Sequence, residues 1–386
     1  MLQELIGVRL TLLAGQGLPR PLPPELMERF VSAEVAISDR EVSGFEMVFD
    51  AVRSPALAGH FPIMAEPALK AGARIVLSAT IGLLPSVLMD GIIETAEFRP
   101  AQAQGGGQGG GSARLHLRGK DLSFVLDREE REQSHPAQGP GEIATMILLR
   151  YAQYGIMPMV IPPLTADRPS PTEWVPMQRG TDFAYLKDLA AAHDRIFTVI
   201  PGPVPMTSTG YWGPPPRLGL PQRAITSDMG PDSNVSGLTF ENAAGGAAEV
   251  AGRVQDPASG QSIPVRSTLA LRPPLAMTPS SANRATVQTR LFRTHGAPSA
   301  AQAMGEAQAQ SDATTDTVKV TGDLDTARYG AVLAPRGLVG LRGAGLDHDG
   351  FYYVQSVIHK LSRGAWTQSF TLNREGTGTT VPVVLP

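Results

Sequence analysis

Asp347-His348-Asp349 sets two carboxylates and an imidazole side by side, residue types that hold a metal ion or move a proton. Successive side chains of an extended segment point to opposite faces, so the three do not converge easily on one ion. With Gly350 next, they suit a hairpin turn. His193 lies on the apolar face of a predicted helix and His359 ends a predicted strand, and both read as structural histidines, not general bases. No H-E-x-x-H spacing, G-x-S-x-G elbow, P-loop or G-x-G-x-x-G after a strand occurs. Gly105 to Gly111 is glycine-rich but lacks the Lys-Ser/Thr of a phosphate cradle. Glu129-Glu130-Arg131-Glu132 reads as a solvated face. Trp212, set among prolines, suits an interface anchor or a packed linker. No catalytic, cofactor-binding or metal-ligating residue is assigned, and no cofactor is expected.

Composition narrows the classes further. At 386 residues the chain exceeds one simple core, and a prior of about 150 residues per domain gives two or three. Gly 41 and Pro 34 together make roughly a fifth of it where about 12% is usual, whereas charged residues are only 18%. This is a turn-rich, undercharged, β-leaning chain. A net charge of −3 lacks the clustered cations that bind phosphates, so no nucleic acid is expected. Without cysteine there is no disulfide, thiolate nucleophile or zinc-thiolate site. The first twelve residues carry Glu4 and Arg9, which do not suit a signal peptide. Ile75 to Ile93 is cut by Gly82, Pro85 and Asp90, so no membrane insertion is expected.

Periodicity divides the chain into three. In 1–125, Ile6, Val8, Leu10 and Leu12 alternate with Gly7, Arg9 and Thr11 as a strand. Val31 to Ile37 and Gly44 to Phe49 follow, joined at Ser38-Asp39-Arg40, then Ala73 to Ile81 and Gly91 to Phe98, separated by Pro85 and the Asp90-Gly91 turn signal. The Gly-rich stretch 101–113 reads as an expanded flexible loop between paired strands, because Arg114 to Arg118 resumes alternation. In 126–221 the period changes: Glu142 to Tyr154 reads as a helix stopped by Gly155. A second helix starts at Thr181 or Asp182, with Phe183, Leu186, Leu189, Ala190 and His193 on one face. The strand Arg195 to Ile200 follows, then a Pro/Gly-rich crossing, 201–221, expected to hold neither helix nor interior strand. In 222–386, Val235 to Glu241 and Ala248 to Val254 suit strands and Ala300 to Gln310 a helix. Phe351 to Ile358 reads as a buried strand, and Ala365 to Asn373 places Trp366, Gln368, Phe370 and Leu372 on one face, completing a hairpin through Ser362-Arg363-Gly364.

Five stretches, in order, carry a resemblance: Val87 to Ile93, Gly119 to Asp127, Ile143 to Leu148, Gly180 to Ala190, and the closing Tyr329 to Gly376 segment with Val339 to Gly345, Asp349 to Val354 and Gln368 to Gly376. Together they resemble the phage late control protein D family of tail hub proteins, and the hub domain of type VI secretion spikes is similar. The resemblance covers nearly the whole chain, the Gly-rich 101–113 departing from it. It implies a mainly β fold with an α+β middle: two tube-forming, β-barrel-like domains (1–125 and 222–386) joined by a mixed helix and strand region (126–221).

The resemblance further implies a structural baseplate hub of a contractile tail or contractile injection system, not an enzyme. Such hubs are homotrimers in which two tube-like domains per chain form a pseudo-sixfold ring, seating a sixfold inner tube on one side and a threefold spike on the other. The implied partners are two further copies, a spike protein, an inner tube or tube-initiator protein, and baseplate components. The spike is expected as a separate protein, since the chain has no room for a needle. Assembly in the cytoplasm of the producing bacterium precedes incorporation into the particle. A tail-tip cell-wall or glycan hydrolase, which needs two carboxylates about 5–10 Å apart, and a carbohydrate-binding adhesin are the alternatives.

Overall fold

A computed structural model describes residues 8–54, 60–82, 84–101, 112–163, 168–172, 174–243, 245–256, 259–267, 272–294 and 299–381. Apolar residues at alternate positions build the first unit from β1 (Val8–Gly15), β2 (Arg20–Pro21), a short helix α1 (Pro24–Met27), β3 (Phe30–Ser38), β4 (Gly44–Asp50), β5 (Arg74–Ile81), β6 (Leu84–Arg99) and β7 (Arg114–Asp121). Val35, Phe45, Phe49, Ile75 and Leu117 point inward and form its core. The Gly-rich 101–113 lies mostly outside the described residues, but Arg99 and Arg114 on either side are register partners, as a loop between paired strands requires.

Asp90-Gly91 is not a turn. It lies inside β6, and the chain reverses at Gly82, whose φ is +62°. Asp90 is buried in a two-pronged bond to Arg74, 2.7 Å at each oxygen. A Cβ on Gly91 would stand 2.2 Å from the Lys120 carbonyl oxygen, so close strand packing accounts for the glycine. Pro85 is tolerated because β6 there has only β5 beside it, and its pairing with β7 begins at Gly91.

The middle region holds α2 (Ser123–Leu126), β8 (Glu130–Ser134), α3 (Pro140–Leu149), β9 (Ile156–Val160), β10 (Met177–Thr181), α4 (Asp182–Ala192), β11 (Ile196–Pro201) and β12 (Ser208–Gly213). Thr181 caps α4 by accepting the Ala184 amide at 3.1 Å. After α3 a single 3₁₀ turn leads to Gly155, whose φ of +82° stops it. Glu130 to Ser134 pairs with β10 as a two-stranded ribbon that exposes Glu130 and Glu132. The 201–221 crossing does contain an interior strand: β12 sits between β11 and β9. The prolines at 201, 203, 205 and 214–216 flank residues 208–213 without interrupting them, so both ladders form. Trp212 is wholly buried in this core, its indole N–H donating to Leu186 O at 3.2 Å, which makes it a core residue.

The last part comprises β13 (Gln222–Thr226), β14 (Val235–Asn242), β15 (Ala248–Gln255), β16 (Ser262–Arg266), β17 (Ala276–Pro279), β18 (Gln288–Leu291), α5 (Ala300–Asp312), β19 (Val318–Asp325), α6 (Thr326–Tyr329), β20 (Leu338–Arg342), β21 (Gly350–Ser362), β22 (Ala365–Arg374) and β23 (Gly376–Thr379). Val320, Leu324, Tyr352, Val357 and Phe370 form its core. β15, β16 and β18 make a small separate sheet, its core closed by Ala303 and Ala307 of α5. Gln368 is fully buried on the apolar face of β22, accepting from the Leu333 amide at 2.8 Å and donating to Ala331 O at 2.9 Å. The fold is mainly β, and its principal sheet runs β14-β19-β22-β21-β3-β4-β7-β6-β5-β1-β2, with β13 and β20 attached beside β21. The antiparallel β21·β3 ladder therefore joins strands from opposite ends of the chain. Among the described residues, no helix is long and apolar enough to cross a membrane.

Candidate assembly interface

Asp347-His348-Asp349 occupies the loop between β20 and β21, as a hairpin turn. The Asp349 carboxylate accepts the Ala344 amide at 2.8 Å, its carbonyl accepts from Arg374 at 3.0 Å, and His348 stacks on Phe240 at 4.2 Å. Among the described residues, no three His, Asp or Glu side chains converge as a metal site would require. His193 ends α4, and burial, followed by the nearby Arg195 charge, pushes its pKa down to about 4. His359 is 1% exposed, and burial alone pushes it down to about 3. Among the described residues, neither ring nitrogen of His359 has a hydrogen-bond partner, and the ring stands edge-on to Trp366.

Buried charge instead ties segments together. Asp316 accepts from Arg217 and from Arg272 (3.3 Å), Arg272 also grips Asp194, and Arg217 reaches Glu375 at 3.3 Å. The other Glu375 oxygen accepts the amides of Leu275 and Ala276. This network fastens the helix end at Asp194 to the second β unit. A cleft of about 270 Å³ beside it is lined by Arg217, Arg272 and Glu375, and one of about 240 Å³ opens at Asp323, Ser356 and Thr371. Each cleft has one lining carboxylate, so neither offers the acidic pair of a glycosidase.

The geometry with consequences is a repeat. β3, β4, β5, β6 and β7 pair antiparallel as β3·β4, β4·β7, β7·β6 and β6·β5. In the same chain order, β14, β19, β20, β21 and β22 pair antiparallel as β14·β19, β19·β22, β22·β21 and β21·β20. One extra residue bulges the first strand of each set, between Phe30 and Ser32 and between Ser236 and Thr239. Another bulges the fourth, between Ile93 and Thr95 and between Val354 and Ser356. Bulges re-aim a strand at defined points; in the register set by the fourth-strand bulges, those of the first strands stand two residues apart, so only the fourth-strand bulge falls at an equivalent position in both sets. The sets differ in a further bulge of β6, between Val87 and Met89 against β5, which the β21·β20 ladder lacks, and outside the motif β1 joins β5 antiparallel whereas β13 joins β20 parallel.

The units meet at β21·β3, where Val357, His359 and Leu361 face the cores opposite Ile37, Val35 and Ala33, all buried. The other face of the sheet carries polar residues beside Ile358, Ala36 and Val48. A registered row, Thr367–Lys360–Glu34–Glu46–Arg118, crosses the joint from one unit into the other, with Arg118 and Glu46 3.2 Å apart. Among the described residues, β2 and β13 each have one strand neighbour, and two longer stretches stand open at the ends of the repeated sets: β14 pairs with β19 alone, and the end of β6, Thr95 to Arg99, pairs with β7 alone. Such edges present unpaired N–H and C=O groups to another strand. The sequence patterns identify the individual strands, but not the repeat: Gly119 of β7 corresponds to Leu372 of β22, and Phe45 to Val320, so no shared motif marks it.

No family model matches the chain, and no curated protein matches it in sequence. Solved structures do match. A tail protein from Neisseria meningitidis MC58 superposes with a TM-score of 0.62 at 14% identity, over 96% of this chain and 97% of that one. The 43 kDa tail protein of prophage MuSo2 from Shewanella oneidensis gives 0.61 at 12% identity, over 96% and 99%. An E. coli component of the type VI secretion system, itself structurally similar to T4 bacteriophage tail proteins, gives 0.54 at 13% identity, over 98% and 80%. The chain thus has the fold shared by phage tail proteins and this type VI secretion component.

Proposed function

We propose that the chain is a non-catalytic baseplate hub of a contractile tail or contractile injection system, acting as a homotrimeric symmetry adaptor. The observation that carries this reading is the repeat within one continuous sheet. If three chains close a ring, six like units stand around it, a surface on which a sixfold inner tube can seat while the remainder of each chain keeps threefold symmetry for a spike. The fold likeness to tail proteins supports the same reading. In it, residues 1–125 and 222–386 are the two tube-like domains, 126–221 is the mixed region between them, and the polar face carrying Glu34, Glu46, Arg118 and Lys360 lines the channel. The partners are two further copies, a spike protein, an inner tube or tube-initiator protein and other baseplate components. The chain assembles in the cytoplasm of the producing bacterium and then becomes part of the particle. Light scattering on the purified protein, alone and with its tube and spike partners, tests the reading together with electron microscopy of the complex. A trimer with six lobes around a channel is expected, and a chain that stays monomeric with all partners present overturns it.

A further inference from the structure

The β21·β3 joint supplies a template, within the chain itself, for pairing between chains. Superposing the bulges of β6 and β21 sets Thr95 on Ser356, and so Phe98 on His359. It also sets Gly119 on Leu372. Their register partners on the next strand are Phe45 and Val320, and on the strand beyond these are Val35 and Phe240. His359 and Val35 are partners across the joint. The positions equivalent to that pair are Phe98 on one open stretch and Phe240 on another.

We propose that Thr95 to Arg99 of β6 pairs antiparallel with β14 of a second copy, setting Phe98 opposite Phe240, Glu97 opposite Glu241 and Arg99 opposite Thr239. This inference rests on the hub reading and names the contact that closes its ring. Both phenylalanines are half-buried, Phe98 against the first core and Phe240 against the second, so an edge that meets its counterpart continues the apolar face without a break. Thr95, Ala96, Glu97, Arg99, Thr239, Glu241 and Asn242 are all exposed, as residues of an uncovered edge are. On the polar face the joint between copies differs from the one within the chain. Ile358 and Ala36 meet inside the chain, whereas two glutamates meet between chains. Glu97 is held by Arg99 at 3.0 and 3.1 Å, and Glu241 has Lys319 as its register partner. Like charges directly opposite weaken a ladder. The contact between copies is therefore the weaker of the two kinds and is strengthened by salt.

The chain has no cysteine, so engineered pairs report pairing cleanly. The full-length double variant Glu97→Cys with Glu241→Cys is oxidised and run without reductant, beside the mismatched Glu97→Cys with Thr239→Cys, two residues out of register on the same face. The matched pair is expected to give a covalent trimer with at least tenfold more cross-linking than the mismatched pair. Glu241→Gln, which removes the facing charge without a cross-link, is expected to lower the concentration at which trimer dissociates about threefold. A trimer that does not cross-link at the matched positions overturns the ladder and leaves the hub reading intact. A protein that remains monomeric in every variant and with every partner overturns both. Glu241→Gln trimers that dissociate at the same or higher concentration overturn the charge pairing.

Discussion

His359 lies at the joint between the two units, opposite Val35 and edge-on to Trp366, with no hydrogen-bond partner for either nitrogen among the described residues. Burial holds its pKa at about 3, against 6.5 for an ordinary histidine. A folded-state value below the unfolded one means the unfolded chain takes up the proton first. Stability is therefore complete above about pH 6.5 and falls as pH drops toward 3, by about 1.4 kcal/mol per unit. Between pH 6.5 and 4.5 the loss from this residue is about 2 to 3 kcal/mol. His193, pushed to about 4, adds a loss of the same sign, and Asp121, raised to about 6 by burial, adds one of opposite sign. A comparison between variant and parent at each pH cancels both. His359→Leu retains an apolar side chain of similar bulk and removes two unpaired nitrogens, so its stability at pH 7.5 is expected within about 1 kcal/mol of the parent or above it. At pH 4.5 it is expected to exceed the parent by about 2 to 3 kcal/mol more than it does at pH 7.5. Urea unfolding at both pH values, at a concentration where the two proteins share one oligomeric state, measures the difference. An identical dependence of stability on pH in the two proteins would refute the assigned burial, as would a His359 ring that titrates near 6.5 by NMR.

Two further substitutions probe features that packing fixes. Asp316→Ala leaves Arg217 and Arg272 buried without their shared partner and is expected to cost about 3 to 5 kcal/mol by urea unfolding, well above the value for the exposed Asp325→Ala. Gly91→Ala forces a methyl against the Lys120 carbonyl and is expected to cost about 3 kcal/mol, the upper end for overpacking; a thermal midpoint unchanged from the parent would mean Asp90-Gly91 is not inside a paired strand.

Where one local rule acted, the sequence could be read. Thr181 capped its helix, Gly155 stopped the turn after another, and the hairpin through Arg363-Gly364 followed from alternation on both sides. Gln368 fell on the apolar face because the period of two demanded it, and only the folded chain shows which carbonyl and amide satisfy it. Asp90-Gly91 and the 201–221 crossing misled for a common reason. Asp, Gly and Pro are turn residues by local preference, but an Arg74 partner, a close strand and a proline-free window at 208–213 outweighed that preference. The open edges were illegible. They are defined by what does not pair with β14 and with the end of β6, and the 248–312 insertion separates β14 from β19 in sequence.

The β21·β3 joint also sets the timing of folding. Asp39 and Tyr353, hydrogen-bonded across it, are 314 positions apart. At about 5–20 residues per second of synthesis, β3 waits tens of seconds for its neighbour to leave the ribosome. Throughout that interval the strand edge that will be the middle of the finished sheet is an open end. Pairing of such high contact order is slow to nucleate, and nascent chains on one messenger carry the same open edge at close quarters. Glu34, which points outward from β3, places a charge on that waiting edge, the kind of residue that discourages premature edge-to-edge association.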